Sequence, residues 1–319
     1  MPDQRPPRTA KSLSVSLLLC GSLLLPAGPA TAQTVLAQSE AAPESLVIVS
    51  WGGTYAQSQV EALYKPFTET TGLKIVRQDY RGGLQQVRAQ VEGGDVYWDV
   101  VDVAPADLEK GCEDGLFERL SLLLPPAPDG TSAAEDFLPG SLHLCAVGSL
   151  VWSSVIAVDS EQAGENQPDG LEDLFNLDDF PGRRGLRKSP KGNLEWALLA
   201  DGVPADERPY SVIWDRQLWD VELWAIPKGS RNKFRALEFI RYATGTEALA
   251  EQTKWIPYGP ARRSANALVG PFNPLQEVDI APLLPTYPDN MATALKSNTA
   301  FWSENGEALV ERFNAWLVQ

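Results

Sequence analysis

Three acidic side chains and three tryptophans fall within residues 214–227: Trp214, Asp215, Trp219, Asp220, Glu222 and Trp224. Read as a strand, this stretch alternates, with Asp220, Glu222 and Trp224 on one side and Trp219, Val221 and Leu223 on the other. Two carboxylates beside an indole suit a cationic guest. The carboxylates neutralise its charge, and a desolvated cation–π contact adds about 2 kcal/mol. The same face also reads as the wet side of a half-buried sheet. As a third reading, Asp220 and Glu222 form the acid/base pair of a secreted hydrolase, whose acid needs an apolar surrounding to raise its pKa.

A second chemical signal is Ser50-Trp51-Gly52-Gly53-Thr54-Tyr55, which follows the apolar run 46–49. Glycines after a strand let backbone approach a ligand closely, but a phosphate cradle requires G-x-x-x-x-G-K-[ST] or G-x-G-x-x-G, and neither is present. The Pro-Lys-Gly pieces at 190–192 and 227–229 lack the remainder of such a motif. Two readings stay open. One is a ligand corner at a strand's carboxyl end, where Trp51, Thr54 and Tyr55 present an aromatic face and a hydroxyl. The other is a tight turn with Trp51 in the core. The stretch 255–260, Trp-Ile-Pro-Tyr-Gly-Pro, is a rigid aromatic loop that either lines a cleft or caps the preceding helix.

His143 is the only histidine, which rules out a paired-His metal centre and leaves room for a single Ser-His-Asp arrangement. Cys112 and Cys145 are an even pair downstream of Cys20. In an oxidising compartment they read as one disulfide. The rival reading, a metal site with His143, offers few ligands for structural zinc.

The compartment follows from the first residues. Arg5, Arg8 and Lys11 precede an apolar run over 13–25, and Ala30-Thr31-Ala32 is a small-residue cleavage pattern. Residues 1–32 therefore read as a signal peptide, with export to the periplasm as a soluble protein. Residues 33–45 read as a flexible leader. Cys20 as a lipid anchor is the weaker alternative, because Leu19 before it is bulky. Removing 32 residues, which carry three basic and one acidic side chain, takes the net charge from −15 to −17. That charge disfavours nucleic acid and anionic membrane and mildly favours cations; solubility explains it equally well.

Elements that would position these residues follow from periodicity. Val60, Leu63, Tyr64 and Phe67 fall on one helical stripe after strand 46–49, and Gly72 ends it before strand 73–76. A helix over 84–91, stopped by Gly93-Gly94, leads to strand 98–103. Strand–helix–strand units imply parallel strands and an α/β fold. Residues 107–120 read as a short helix and turn, 142–158 as two strands crossing between lobes, and 171–175 and 195–200 as helical. Residues 212–227 read as strand and 233–243 as a helix with Phe234, Leu237 and Ile240 inward. Thr246 caps a further helix, and Leu309, Phe313, Trp316 and Leu317 stripe a final one.

Taken together, several motifs resemble the solute-binding proteins of spermidine/putrescine-type ABC importers. They are Ser50-Trp51-Gly52-Gly53-x-Tyr55, Trp98-Asp99-Val100-Val101, Cys112, Cys145-x-Val147-Gly148-Ser149, Trp152-Ser153, Lys188-Ser189-Pro190 and the runs 194–198, 218–230, 256–260 and Phe301-Trp302. The resemblance covers nearly all of the chain after the leader. It implies a two-lobed periplasmic-binding-protein-like α/β fold (type II) that closes on a polyamine, with no cofactor and no catalysis. It also implies delivery to an ABC permease in the inner membrane by a monomer, and a cysteine pair that agrees with the disulfide. The implied lobes are 46–147 plus about 228–285, and 148–227 plus about 286–319. Carried over by position, the ligand contacts are Trp51, Thr54, Tyr55, Asp102, Glu195, Trp219, Glu222 or Asp220, Tyr258, Trp302 and Ser303.

One departure stands out. Only residues 205–210 intervene between Pro204 and the Trp-Asp strand, where the family carries helices and a strand. The second lobe is therefore expected to be shortened, the cleft more open, and apolar surface exposed where the absent pieces pack. A degenerate member that no longer transports is the alternative.

Overall fold

The computed structural model describes residues 45–159, 163–189, 193, 210–273 and 275–318. The expected signal peptide, the leader up to residue 44 and Glu195, with the helical piece over 195–200, lie outside the described residues.

Strand β1 (Ser45–Ser50) runs into helix α1 (Gly53–Gln59), a π-helical turn over Val60–Tyr64, and α2 (Lys65–Thr71). The π turn has a local cause: Pro66 has no N–H to offer the carbonyl of Ala62, so the ladder slips at that point. Gly72, at φ 73°, closes the run, and β2 (Lys74–Asp79) returns parallel to β1. Helix α3 (Gln85–Gly93) stops at Gly94, φ 70°. It leads to β3 (Val100–Val103), which pairs parallel with β1 on its other side. The two strand–helix–strand units expected from periodicity are therefore present. After β3 come α4 (Pro105–Glu113), the short α5 (Ala133–Asp136), β4 (Leu142–His143) and β5 (Ala146–Asp159).

The sheet is completed by a long antiparallel ribbon. Strand β6 (Tyr210–Ala225) pairs with β5 from Ala146↔Ala225 out to Asp159↔Tyr210. Its near end also pairs antiparallel with β3, in the register Asp102↔Trp224. The resulting order is β2-β1-β3-β6-β5-β4. The ribbon has two irregularities, at Gly148/Val151 and at Ser154/Ile156. Facing the second, Arg216 is the one non-glycine at positive φ (50°) among the described residues. Further along come α6 (Lys233–Ala243), α7 (Thr246–Thr253), β7 (Gly259–Pro260) against β5, α8 (Arg263–Asn266) and the pair β8 (Pro271–Phe272) and β9 (Leu275–Asp279). Strand β10 (Leu295–Lys296) then joins β6, and the chain ends in α9 (Thr299–Leu317). Cys112 of α4 is bonded to Cys145 in the β4–β5 turn, with Cα atoms 6.1 Å apart.

Several expectations need correction. The near half of β6 is not half-wet: Trp219, Asp220, Val221, Glu222, Leu223 and Trp224 are all buried. Polar residues alternate there because the covered face carries hydrogen-bonded carboxylates. The 171–175 stretch makes only a 3-10 turn over Glu172–Leu174. Phe234 is 87% exposed, because α6 turns Ala236, Phe239, Ile240 and Ala243 inward instead. Gly245, not Thr246, is the N-cap of α7, and the Thr246 hydroxyl bonds Ser264 at 3.0 Å. The last helix forms as expected and packs on α4, but its stripe is largely uncovered, with Trp316 64% exposed. Phe175, Leu177 and Leu186 are also exposed, which fits the expected apolar surface around a shortened lobe. No described helix is long and apolar enough to cross a membrane.

Candidate functional site

The parallel strands β1 and β3 end side by side, and β6 runs back past them. Ser50, Asp102 and Trp224 thus lie across neighbouring strands, and Glu222 lies two residues back on the Trp224 face. Trp51 leaves β1 at that point and donates its indole Nε1–H to Glu222 Oε2 at 2.9 Å. The contact joins residues 171 positions apart.

The two glycines after Trp51 now have a reason. Gly52 takes φ 81°, and a Cβ there would sit 2.9 Å from Asp79 Oδ2. On the far side of the indole, Gly82 (φ 78°) lies so close that a Cβ would meet the ring at 2.5 Å. Trp51 is therefore packed closely on Gly82 and also on Tyr80, whose ring centroid is 5.2 Å away. The tight turn seats the half-buried indole against the core.

Asp102 lies beneath this corner, fully buried. Ser50 Oγ and Gln59 Nε2 both donate to its Oδ2, at 2.9 and 2.8 Å. Tyr64 donates to Gln59 Oε1 at 3.0 Å, which turns the amide N–H groups toward the carboxylate. The Tyr80 hydroxyl donates to the Asp102 backbone carbonyl. The Tyr55 hydroxyl faces Asp102 and Ser149, though without a hydrogen bond of good geometry. Burial pushes the Asp102 pKa up to about 7, while Tyr55, Ser50 and Gln59 pull the other way. Burial first, and the Asp102 charge second, raise Tyr55, Tyr64 and Tyr80 well above the usual phenol value.

Tyr258, in the aromatic loop before β7, stacks on Tyr55 with centroids 5.5 Å apart. Its pKa is raised by burial and then by Glu222, and Arg187 opposes the rise. That guanidinium belongs to the stretch between the Glu172–Leu174 turn and β6. It also lines a cavity of about 1110 Å³ whose walls include Ser153, Ser154, Arg183, Arg184 and Asn193. Arg184 is engaged by the carbonyls of Leu174, Asp173, Asn176 and Gly182. Arg187 is exposed and forms no ion pair with an acidic side chain among the described residues.

The structure therefore brings together Trp51, Tyr55, Asp102, Glu222 and Tyr258 from the sequence-derived set. Thr54 is exposed in the first turn of α1. Trp219 sits on the opposite face of β6 from Glu222, with Lys296 Nζ 5.9 Å from its ring. Asp220, buried on the Glu222 face, pairs in register with Trp152 of β5. Trp302 is buried and Ser303 half-buried at the start of α9, against α4. Sequence reasoning missed Tyr80, Gln59, Gly82 and Arg187. Only Gly82-Gly83 carried a local signal, as a glycine pair after a strand.

The architecture is the two-lobed α/β fold of periplasmic binding proteins, and several solved chains share it. A GABA receptor of known structure matches with a TM-score of 0.73 at 25% identity, covering 85% of this chain and 97% of its own. The substrate-binding protein of an ABC transporter from Bradyrhizobium japonicum has the same fold, with a TM-score of 0.73 at 24% identity over 86% of this chain and 99% of its own. The spermidine/putrescine-binding protein PotD of Streptococcus pneumoniae shares the fold at a TM-score of 0.59 and 14% identity, covering 86% and 99% of the two chains.

The model of the bacterial extracellular solute-binding proteins matches residues 62–211 and 205–274, and the chain belongs to that family. It is a solute-binding protein of the ABC-transporter type, and its relatives bind solutes rather than convert them. The gamma-aminobutyric acid-binding protein of Pseudomonas aeruginosa is 33% identical over 343 residues, covering 89% of this chain and 94% of that protein. Since 89% of 319 residues is about 284, some sixty aligned positions have no counterpart here. The two family segments meet at 205–211, where the sequence departs from the pattern.

Proposed function

We propose that this protein captures a small solute bearing a primary ammonium group, in the periplasm, for delivery to an ABC permease. The observation that carries the reading is the Glu222 carboxylate, fixed by Trp51 and set among Tyr55, Tyr258 and the buried Asp102. Aromatic walls replace the water around an ammonium, and a fixed carboxylate neutralises it. The Arg187 charge, which also reaches Tyr258, supplies the opposite sign. A short ω-amino acid of the GABA kind therefore suits the pair better than a polyamine, and the names of two relatives support that choice. The polyamine reading keeps one specific support, the proximity of a second carboxylate, Asp102, to Glu222. In the same reading, residues 46–147 with about 228–285 form one lobe, and 148–227 with about 286–319 the other.

Calorimetric titration with GABA, putrescine, spermidine, butylamine and butyrate separates these readings. GABA is expected to bind, with butylamine and butyrate far weaker. Glu222→Gln, which keeps an acceptor for Trp51, weakens binding by at least about tenfold. Arg187→Ala weakens GABA and leaves any putrescine binding unchanged. Heat from putrescine and none from GABA replaces the ω-amino acid with a polyamine. Silence from all amines on folded protein overturns the proposal.

A further inference from the structure

Far from Trp51 in the chain, the disulfide corner holds a second set of ligating groups. Cys112, His143 and Cys145 each place a ligand atom within 4.8 Å of the other two. The set comes from two rigid pieces: α4 supplies Cys112, while His143 and Cys145 flank Leu144 at the tight β4–β5 turn. The imidazole is already oriented. Its Nδ1 is on the Cys145 side and accepts that residue's backbone N–H at 3.1 Å. Its Nε2 lies 3.4 Å from Glu109 Oε2, one helical turn before Cys112 on α4. A carboxylate behind the outer nitrogen of a histidine, with the inner nitrogen toward thiolates, is the arrangement that orients histidine on zinc.

We propose that the corner is a redox-gated zinc site, closed as the disulfide and opened by reduction. A dithiol reductant cleaves the S–S bond. Two electrons and two protons pass to Cys112 and Cys145 as thiols, and the reductant leaves as its own disulfide. Zn²⁺ then displaces both thiol protons and binds the two sulfurs and His143 Nδ1, which gives up the Cys145 N–H. Glu109 holds the Nε2 proton as a positioning residue, and solvent takes the fourth position. Tetrahedral bonds of about 2.3 Å set two sulfurs roughly 3.8 Å apart, so the pair need separate by only about 2 Å once released. Thiolates with imidazole favour zinc over magnesium or calcium. Cys112 and His143 are half-buried and Cys145 is buried, so the metal enters from the Cys112–His143 side.

The test uses the full chain in two forms: oxidised, and reduced with dithiothreitol then desalted under argon. Zinc uptake is read by competition with a chromogenic chelator, and Co²⁺ substitution by its thiolate charge-transfer band. The reduced chain is expected to take one Zn²⁺ and show the band, and the oxidised chain neither. His143→Ala in the reduced form loses at least tenfold in affinity, and Glu109→Gln loses about tenfold. Near-UV circular dichroism follows the fold throughout. Equal uptake by both forms, no uptake by a folded reduced chain, or unchanged uptake by His143→Ala each overturns the proposal. Unfolding on reduction that zinc fails to reverse overturns it as well.

Discussion

Asp102→Asn tests the electrostatics beneath the Trp51 corner. Ser50 and Gln59 both donate to the same oxygen of Asp102, so an asparagine carbonyl accepts both bonds and the change removes only a titrating charge. In the wild-type protein burial raises the Asp102 pKa from 3.8 to about 7. The folded state therefore holds a proton that the unfolded chain releases above pH 3.8. Stability declines as pH rises through that interval and levels off once the folded protein also ionises, above about 7. At about 1.4 kcal/mol per pH unit, the wild type loses roughly 2–3 kcal/mol relative to the variant between pH 5 and pH 8. Urea denaturation of both ligand-free proteins at pH 5, 6, 7 and 8 reads the difference, and taking it between the two cancels every other titrating group. The variant should gain on the wild type across the series. A difference that stays flat would mean Asp102 ionises at an ordinary pKa, and the account of a desolvated carboxylate would fail.

Three further outcomes follow from the same geometry. Gly82→Ala places a Cβ 2.5 Å from the Trp51 ring at a φ of 78°, and should cost about 2–3 kcal/mol in urea. An unchanged midpoint would mean the indole is seated elsewhere. Trp51→Phe keeps a ring on Tyr80 but removes the donor to Glu222, and should cost about 1–3 kcal/mol of stability together with ligand affinity measured by calorimetry. Replacing both Cys112 and Cys145 by alanine opens a link with a sequence separation of 33, and should lower stability by about 3–4 kcal/mol in thermal or chemical melts.

Much of the first lobe is legible in the sequence because its punctuation is local. Gly72 and Gly94 end helices where only a left-handed residue fits, and the stripe Leu63, Tyr64, Phe67 packs inward as its spacing requires. The cleft chemistry is less legible. Asp220 and Glu222 alternate with apolar residues as a solvated face does, yet both are buried. Their neighbours, Trp51 on Glu222 and Trp152 beside Asp220, are distant in sequence, and no local period encodes those. The Trp51–Glu222 bond spans 171 positions, and its partners were singled out for separate reasons rather than as a pair. Phe234 shows the opposite failure, an aromatic at a stripe position that the turn of α6 leaves outside.

The ribbon of β5 and β6 has a mechanical consequence. Backbone pairing runs along its whole length except at two breaks, so neither strand slides or shears against the other without losing a ladder of bonds. Any swing of the outer portion relative to the ring-lined corner has to be absorbed at those breaks. One of them lies beside Arg216, which already takes an unusual φ of 50°. A pair of strands stitched together in this way behaves as one stiff blade between its breaks rather than reshaping along its length.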